Sequence, residues 1–330
     1  KYFFLFCMSF AIAALITPYA AKTARRLKIV DRPDGRLKKH KKAVPYLGGA
    51  ALYMAFIAAL VFGKVFFSGG IKGIIGIGIG GTMIFALGLA DDIKRLKIMT
   101  KLIVQILAAA VLIVCNVKIR FLPWEWLNNA VNMLWVVGVN NSFNLVDIMD
   151  GLAAGIALIA AAAFFIIGVQ TNMLFSPMAA ICLAGATAGF LVYNYPPAVI
   201  FMGDAGSLFL GFMLSALAMG DRYTETNVLA VISPLLILGV PVFETFFVMW
   251  IRYRDGKKIL WGSPDHFPLR LLKIGLSRGR VLAVAYSSGA VLSVLAWTAI
   301  RISPSASIAV YTLTALVMLF FAHLLGKIRI

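Results

Sequence analysis

A chain of 330 residues that is 62% hydrophobic, 13% charged and of mean hydropathy +0.93 has too few charges to coat a soluble globule. Composition therefore excludes a soluble domain and predicts an all-α polytopic membrane protein. The net charge of +18 does not point to nucleic acid, because the basic residues sit in short loops beside apolar runs, where anionic lipid headgroups or a phosphorylated substrate fit better.

Apolar stretches close to the roughly 20 residues that cross a bilayer predict 10 to 11 transmembrane helices in one catalytic domain over residues 1–330. They lie near 2–21, 47–67, 71–90, 99–115, 130–148, 152–169, 177–194, 206–220, 228–250, 280–300 and 307–325. The first runs into a basic loop without a cleavage pattern and reads as an anchor. With residue 1 outside, the loops at 22–46, 91–101 and 252–280 and the tail from Gly326 lie inside. They hold 24 of the 31 Lys and Arg, the asymmetry expected of cytoplasmic loops. Lys1, Lys64, Lys72, Lys118, Arg120, Arg222 and Arg301 fall on the other side or at its boundary. Cys7, Cys115 and Cys182 lie one each in different spans without metal or disulfide spacing, and read as small core residues.

The first inner loop carries Asp31, Pro33, Asp34, Arg36, His40 and Lys41 and returns to the membrane at Pro45-Tyr46-Leu47-Gly48-Gly49. It reads either as a topology signal or as a phosphate-binding loop, with the backbone amides at Gly48 and Gly49 open to an anion. The glycines between Gly69 and Gly81 lack a nucleotide-loop ending and predict tight helix packing. Asp91 and Asp92 end the third span, where adjacent acids at a helix C-terminus need a positive partner. That partner is Lys94, Arg95 and Lys97, or else a divalent cation or a basic substrate-binding loop. Trp124 and Trp126 mark an outer interfacial belt.

The stretch Asn140 to Gly151 places Asn144, Asp147 and Asp150 at a membrane boundary. In a helix these three share one face. Gly203-Asp204-Ala205-Gly206 then delivers Asp204 to the start of the next span, as an N-cap or as a ligand. Glu244 lies well inside the ninth span, and its role stays open. His266 and Arg270, four residues apart in the last basic loop, share a helical face. Carboxylates and amides from several inner boundaries suit Mg²⁺, with Mn²⁺ as a substitute. Basic loops beside them suit a diphosphate, and together they predict phosphoryl transfer.

The Asp91-Asp92 pair, the run Asn141-x-x-Asn144-x-x-Asp147-x-x-Asp150-Gly151-Leu152 and Phe201-Met202-Gly203-Asp204-Ala205-Gly206-Ser207-Leu208 resemble the polyprenyl-phosphate N-acetylhexosamine-1-phosphate transferases. The first loop, from Asp31 through His40 to Gly48-Gly49, resembles the bacterial GlcNAc branch of that family. The resemblance implies transfer of HexNAc-1-phosphate from UDP-N-acetylhexosamine to polyprenyl phosphate in a prokaryotic inner membrane, with the site cytoplasmic and the N-terminus outside. By position it implies Mg²⁺ on Asn144 and Asp204, with Asp92 supporting metal or diphosphate and Asp91 as base or orienter. It places Asp150, Asn194 and Phe201 on the uridine and gives Asp147 the ordering of its loop. His40, Lys41, Gly48 and Arg270 would bind the sugar diphosphate, and His266 would join Asp91, Asp92 and Asp147 as catalytic residues. The last loop reads Asp265-His266-Phe267-Pro268-Leu269-Arg270 where the branch usually carries His-x-His-His, which leaves the donor sugar open after UDP-GlcNAc as first choice. One-step transfer, a covalent intermediate and a homodimer all remain open. A transporter is the rival from another class, and it predicts charges near the midplane and internal repeats, whereas nearly all the acids here sit at one face and no internal repeat is evident.

Overall fold

The computed structural model describes residues 1–31, 43–67, 70–173, 175–220, 223, 227–258 and 264–328. His40 and Lys41 lie outside the described residues. The chain forms two compact units, Lys1–Arg222 and Tyr223–Ile330.

The first unit holds α1 (Tyr2–Arg26), a short antiparallel pairing of β1 (Val30–Asp31) with β2 (Val44–Pro45), then α2 (Gly48–Gly63), α3 (Ile71–Lys94), α4 (Ile98–Val114), α5 (Glu125–Val146), α6 (Leu152–Gln170), α7 (Phe175–Asn194) and α8 (Gly203–Gly220). The second holds a 3-10 turn at Val228–Ile232, α9 (Ser233–Ile237), α10 (Gly239–Arg254), α11 (Phe267–Lys273), α12 (Arg278–Ala299) and α13 (Pro304–Gly326).

Every expected apolar segment is helical, but eleven crossing helices is more than length and composition carry. Among the described residues seven helices (α1, α3, α6, α7, α8, α12 and α13) are long and apolar enough to cross a membrane. Helices α2 and α4 have 16 and 17 residues and fall short of a full crossing. Helix α5 has 22 residues, but its six asparagines make it too polar. The expected ninth span is bent by 74° between Val228–Ile237 and Gly239–Arg254. Pro234 and Pro241 each remove a helical N–H, and Gly239 has no side chain to pack across the break.

Helix α8 is the axis of the first unit, packed by α2, α3, α5, α6 and α7. All of its residues except Asp204 and Gly220 are buried. Small residues allow this close approach. Gly80 and Gly81 of α3 receive the side chains of Phe212 and Met213, and Gly88 lies against the backbone at Asp204 and Ala205, as the glycine-rich stretch predicts. The single polar residue at the start of this packed helix is thus aimed out of the core at the end where α3 and α5 finish. Of the cysteines only Cys182 is buried. Cys7 is exposed on the outer side of α1, so the core expectation fails there.

Candidate active site

The site is assembled at the N-terminal end of α8. Asp92, in the last turn of α3, accepts hydrogen bonds from the backbone N–H groups of Asp204 (2.8 Å) and Ala205 (3.1 Å). A carboxylate receiving the first amides of a helix is an N-cap supplied in trans, and it also meets the positive end of the helix dipole. The acid that caps α8 is therefore Asp92, and Asp204 is left to project from the first turn. Gly203 makes this approach possible. It sits at φ +69°, and a Cβ there would lie 2.5 Å from Asp92 Oδ2.

Asp91 points the other way. Its Oδ1 accepts from Leu96 N–H and its Oδ2 from Lys101 Nζ, each at 2.5 Å. The same ammonium reaches Asp204 Oδ2 at 3.2 Å, so Lys101 of α4 ties a carboxylate of α3 to one of α8. Asn144, in the last turn of α5, donates from Nδ2 to Asp204 Oδ1 (2.9 Å) and to Ser207 Oγ (3.1 Å). Four helices thus converge on Asp204.

The positive partner of the acidic pair is Lys101, in the first turn of the apolar helix α4. Lys94, Arg95 and Lys97 are exposed on the connecting hairpin, where Arg95 adopts φ +47°. A Lys in an apolar helix is costly without an acid partner, and that was the sequence signal for it.

Asn144, Asp147 and Asp150 do not share a helical face, because α5 ends at Val146 and Gly151 turns the chain at φ +76°. Asp150 Oδ2 accepts from Ala198 N–H at 3.1 Å. Buried Asn194 accepts from Gly151 N–H (3.0 Å) and donates to Ile200 O (2.9 Å). Both residues staple the 147–151 turn to the 195–200 loop, so the uridine contact expected of Asn194 gives way to a structural role. Phe201 keeps a partly exposed ring, tilted against Tyr46 at 6.4 Å between centroids. The expectation of open amides at Gly48 and Gly49 also fails. These amides donate to Phe201 O (3.0 Å) and Met202 O (2.9 Å), docking α2 onto the segment that leads into Asp204.

Asp147 has no hydrogen-bond partner among the described residues, so it does not order its loop. Burial, and then the neighbouring carboxylates of Asp204, Asp92 and Asp150, push its carboxyl up to about 8. Such a group exchanges protons near neutrality. Burial, followed by the Asp31 carboxylate that its hydroxyl meets at 3.3 Å, raises the Tyr46 phenol above its ordinary range.

His266 and Arg270 belong to the second unit. His266 Nδ1 meets Oε1 of the fully buried Glu244 at 2.7 Å, and Glu244 Oε2 accepts from Phe267 N–H at 3.2 Å. Glu244 therefore orients the imidazole. Arg270 is buried, lies over the Phe247 ring and donates to Asp265, Leu325 O and Ile328 O. Its guanidinium fork is spent on the protein's own carbonyls and carboxylate, which contradicts the substrate-binding expectation for Arg270.

Among the described residues no three His, Cys, Asp or Glu side chains stand at metal-ligand spacing. The donors at Asp204 and Asn144 are nonetheless all oxygen once the Asn144 amide nitrogen is committed to Asp204. The Lys101 ammonium between two carboxylates shows that this point is built to hold positive charge. A hard cation with one or two protein ligands and the rest from water and phosphate, the habit of Mg²⁺, fits such a set.

Carboxylates, an amide and a lysine gathered at one end of an apolar helical bundle define an integral membrane enzyme suited to charged, phosphate-bearing substrates. The glycosyl transferase family 4 profile matches residues 74–220, the stretch that supplies all of these groups. A probable undecaprenyl-phosphate N-acetylglucosaminyl 1-phosphate transferase of Bacillus subtilis is 31% identical over 300 residues, covering 88% of this chain and 83% of that protein. A decaprenyl-phosphate N-acetylglucosaminephosphotransferase of Mycobacterium tuberculosis strain H37Rv is 32% identical over 361 residues, covering 96% and 88%. A phospho-N-acetylmuramoyl-pentapeptide-transferase of Bacillus licheniformis is 32% identical over 324 residues, covering 88% and 95%. The chain belongs to this polyprenyl-phosphate N-acetylhexosamine-1-phosphate transferase family; it is a multi-pass membrane transferase.

Proposed function

We propose that this protein transfers N-acetylglucosamine 1-phosphate from UDP-GlcNAc to a polyprenyl phosphate at the cytoplasmic face of a bacterial plasma membrane, with Mg²⁺ bound. The products are polyprenyl-diphosphate GlcNAc and UMP. The observation that carries the reading is the convergence of Asp91, Asp92, Lys101 and Asn144 on Asp204, together with relatives whose names specify this transfer. Lys94, Arg95, Lys97 and Lys101, in the basic 91–101 segment that leads from α3 into α4, support the cytoplasmic placement of this end.

In the transfer, an oxygen of the lipid phosphate bonds to the phosphorus that bears the sugar. The bond from that phosphorus to the bridging oxygen breaks, and UMP leaves with the electron pair. Bound Mg²⁺ would neutralise the diphosphate, held by Asp204 and the Asn144 carbonyl oxygen. Lys101 adds a second positive charge for the same oxygens. Asp91, with donors on both oxygens, orients Lys101 in place of acting as base. Asp147, without a hydrogen-bond partner among the described residues, would take a proton from the attacking phosphate when it is itself ionised. Asp92 fixes α8 and with it Asp204. The partly exposed Phe201 ring offers a stacking face for the uracil, and His40 and Lys41 would meet the diphosphate.

The test is UMP release by purified protein supplied with undecaprenyl phosphate and a panel of UDP-sugars. Release with UDP-GlcNAc that needs both the lipid and Mg²⁺, and stops with EDTA, is expected. Absence of UMP with every UDP-HexNAc, or release that ignores the lipid, would refute it. The pentapeptide-transferase relative makes UDP-MurNAc-pentapeptide the second donor to include.

A further inference from the structure

One helical turn beyond the acid cluster a second polar pair joins α4 to α5, and no step of the transfer uses it. Gln105 Oε1 accepts from Asn141 Nδ2 at 2.9 Å. Gln105 follows Lys101 by four residues on the same face of α4, and Asn141 precedes Asn144 by three on α5. Lys101 and Asn144 meet again at α8, where the ammonium reaches Asp204 Oδ2 at 3.2 Å and the amide donates to Asp204 Oδ1 at 2.9 Å. The amide pair thus closes a frame whose opposite corner is Asp204.

Helix α4 needs such a fixed point. Of its residues only Gln105, Ala108, Ala109 and Leu112 are buried, and it packs chiefly on α3 and α5. Toward α3 the contact is smooth, with Gly80 against Ala108 O and Gly76 against Leu112 and Cys115. Small residues let the two backbones approach, but they supply shape without a directional bond. Lys101 stands on four methylenes and is 26% exposed. Its ammonium finds both Asp91 and Asp204 only if α4 keeps its height and rotation.

The donor of the pair is aimed. Asn141 carries two amide hydrogens, and one goes to Val137 O of its own helix at 2.7 Å, which turns the other toward Gln105. Gln105 is less well served. Its Nε2 is shielded from solvent and meets no acceptor among the described residues. Leaving a buried donor unpaired costs at least as much as the Oε1 bond gains, so this glutamine adds little to stability. A side chain that breaks the pairing rule next to a reaction centre points to a geometric role.

We infer that Gln105 is a positioning residue: its bond to Asn141 fixes α4 against α5 and so holds Lys101 between Asp91 and Asp204. Gln105 touches no reacting atom and acts through Lys101. Its effect on turnover rests on the transfer proposed above, whereas its effect on the Lys101 ion pairs does not.

Full-length protein in detergent is made with Gln105→Met, with Gln105→Asn, and with the exchange pair Gln105→Asn and Asn141→Gln, and each is read by UMP release and by melting. Misplacing a catalytic group by about 1 Å costs on the order of 100-fold, so Gln105→Met should lose at least roughly tenfold in kcat. It should nevertheless melt at or above the native temperature, because the orphaned donor goes with the bond. Gln105→Asn leaves the pair one methylene short and should also lose rate, and the exchange pair restores that length and should recover most of the loss. The second arm needs no substrate. Lys101→Met should lower melting in the native background, and roughly half or more of that shift should vanish in the Gln105→Met background, because ion pairs already misplaced have less to lose. Native turnover in Gln105→Met, a melting loss that parallels its rate loss, an exchange pair no faster than Gln105→Asn, or additive melting shifts each overturns the proposal. Absence of UMP release by the native protein refutes the transfer instead, and the melting cycle then decides the role of Gln105. Should Gln105→Met not purify, Gln105→Asn takes its place in both arms.

Discussion

Replacing Asp92 by alanine removes the cap of a helix whose first residues lie 112 positions further along the chain. Loss of an N-cap side chain costs about 1 kcal/mol. Withdrawing a negative charge from a helix N-terminus costs roughly a further 0.5–1 kcal/mol, so Asp92→Ala should lose about 2 kcal/mol. For a unit of this size each kcal/mol lowers the melting temperature by about 2–4 °C, giving a drop of roughly 4–8 °C. Asp204 sits in the freed turn, and a displacement of its carboxylate by about 1 Å costs on the order of 100-fold in turnover. Asp92→Asn keeps one acceptor oxygen and should lose about half the stability and roughly tenfold in rate. The assay pairs melting in detergent with UMP release. An alanine variant that melts with the native protein refutes the cap. An asparagine variant that is fully inactive yet melts normally would make Asp92 a direct ligand.

Gly203→Ala should harm the same place by another route. Its φ of +69° strains an L-residue by roughly 1–2 kcal/mol, and the new methyl pushes on Asp92 Oδ2, so melting should fall at least as far as in Asp92→Asn. Lys101→Met leaves Asp91 and Asp204 facing each other without their shared cation, and should cut initial UMP-release rates at least roughly tenfold, with Lys101→Arg recovering part; native rates in the methionine variant would remove Lys101 from the site. Asp147 sets a pH dependence. Its carboxyl lies at about 8 in the folded chain against about 4 in the unfolded one. The folded state therefore holds the extra proton between those values, and stability falls as pH climbs through that window. Metal-free Asp147→Asn should show a flatter melting profile from pH 5 to 8 than the native chain, and parallel profiles would contradict the burial argument.

Much of the architecture was legible because a bilayer imposes a local rule. A segment must be long and apolar enough to satisfy its own backbone, and hydropathy reads that residue by residue. The cost of acids at membrane boundaries likewise made Asp91, Asp92, Asp147 and Asp204 stand out before any coordinates. The break in the ninth segment was written in Pro234, Gly239 and Pro241, but its 74° angle depends on how the two pieces pack.

What the sequence determined by itself was the membrane class, the helical segments and the set of chemically costly side chains, since each depends on composition within a few residues. What only the tertiary structure decided was the division of labour among those side chains. Asp92 became a cap, Asp204 the projecting acid, Lys101 the shared cation, and Asn194 and Asp150 loop staples. A hydrogen bond of 2.8 Å tolerates little displacement, and whether a donor from α8 meets an acceptor from α3 is fixed by the packing of Gly88 against Ala205. No pattern along the chain encodes that distance, because it is set by surfaces that meet only when the helices do.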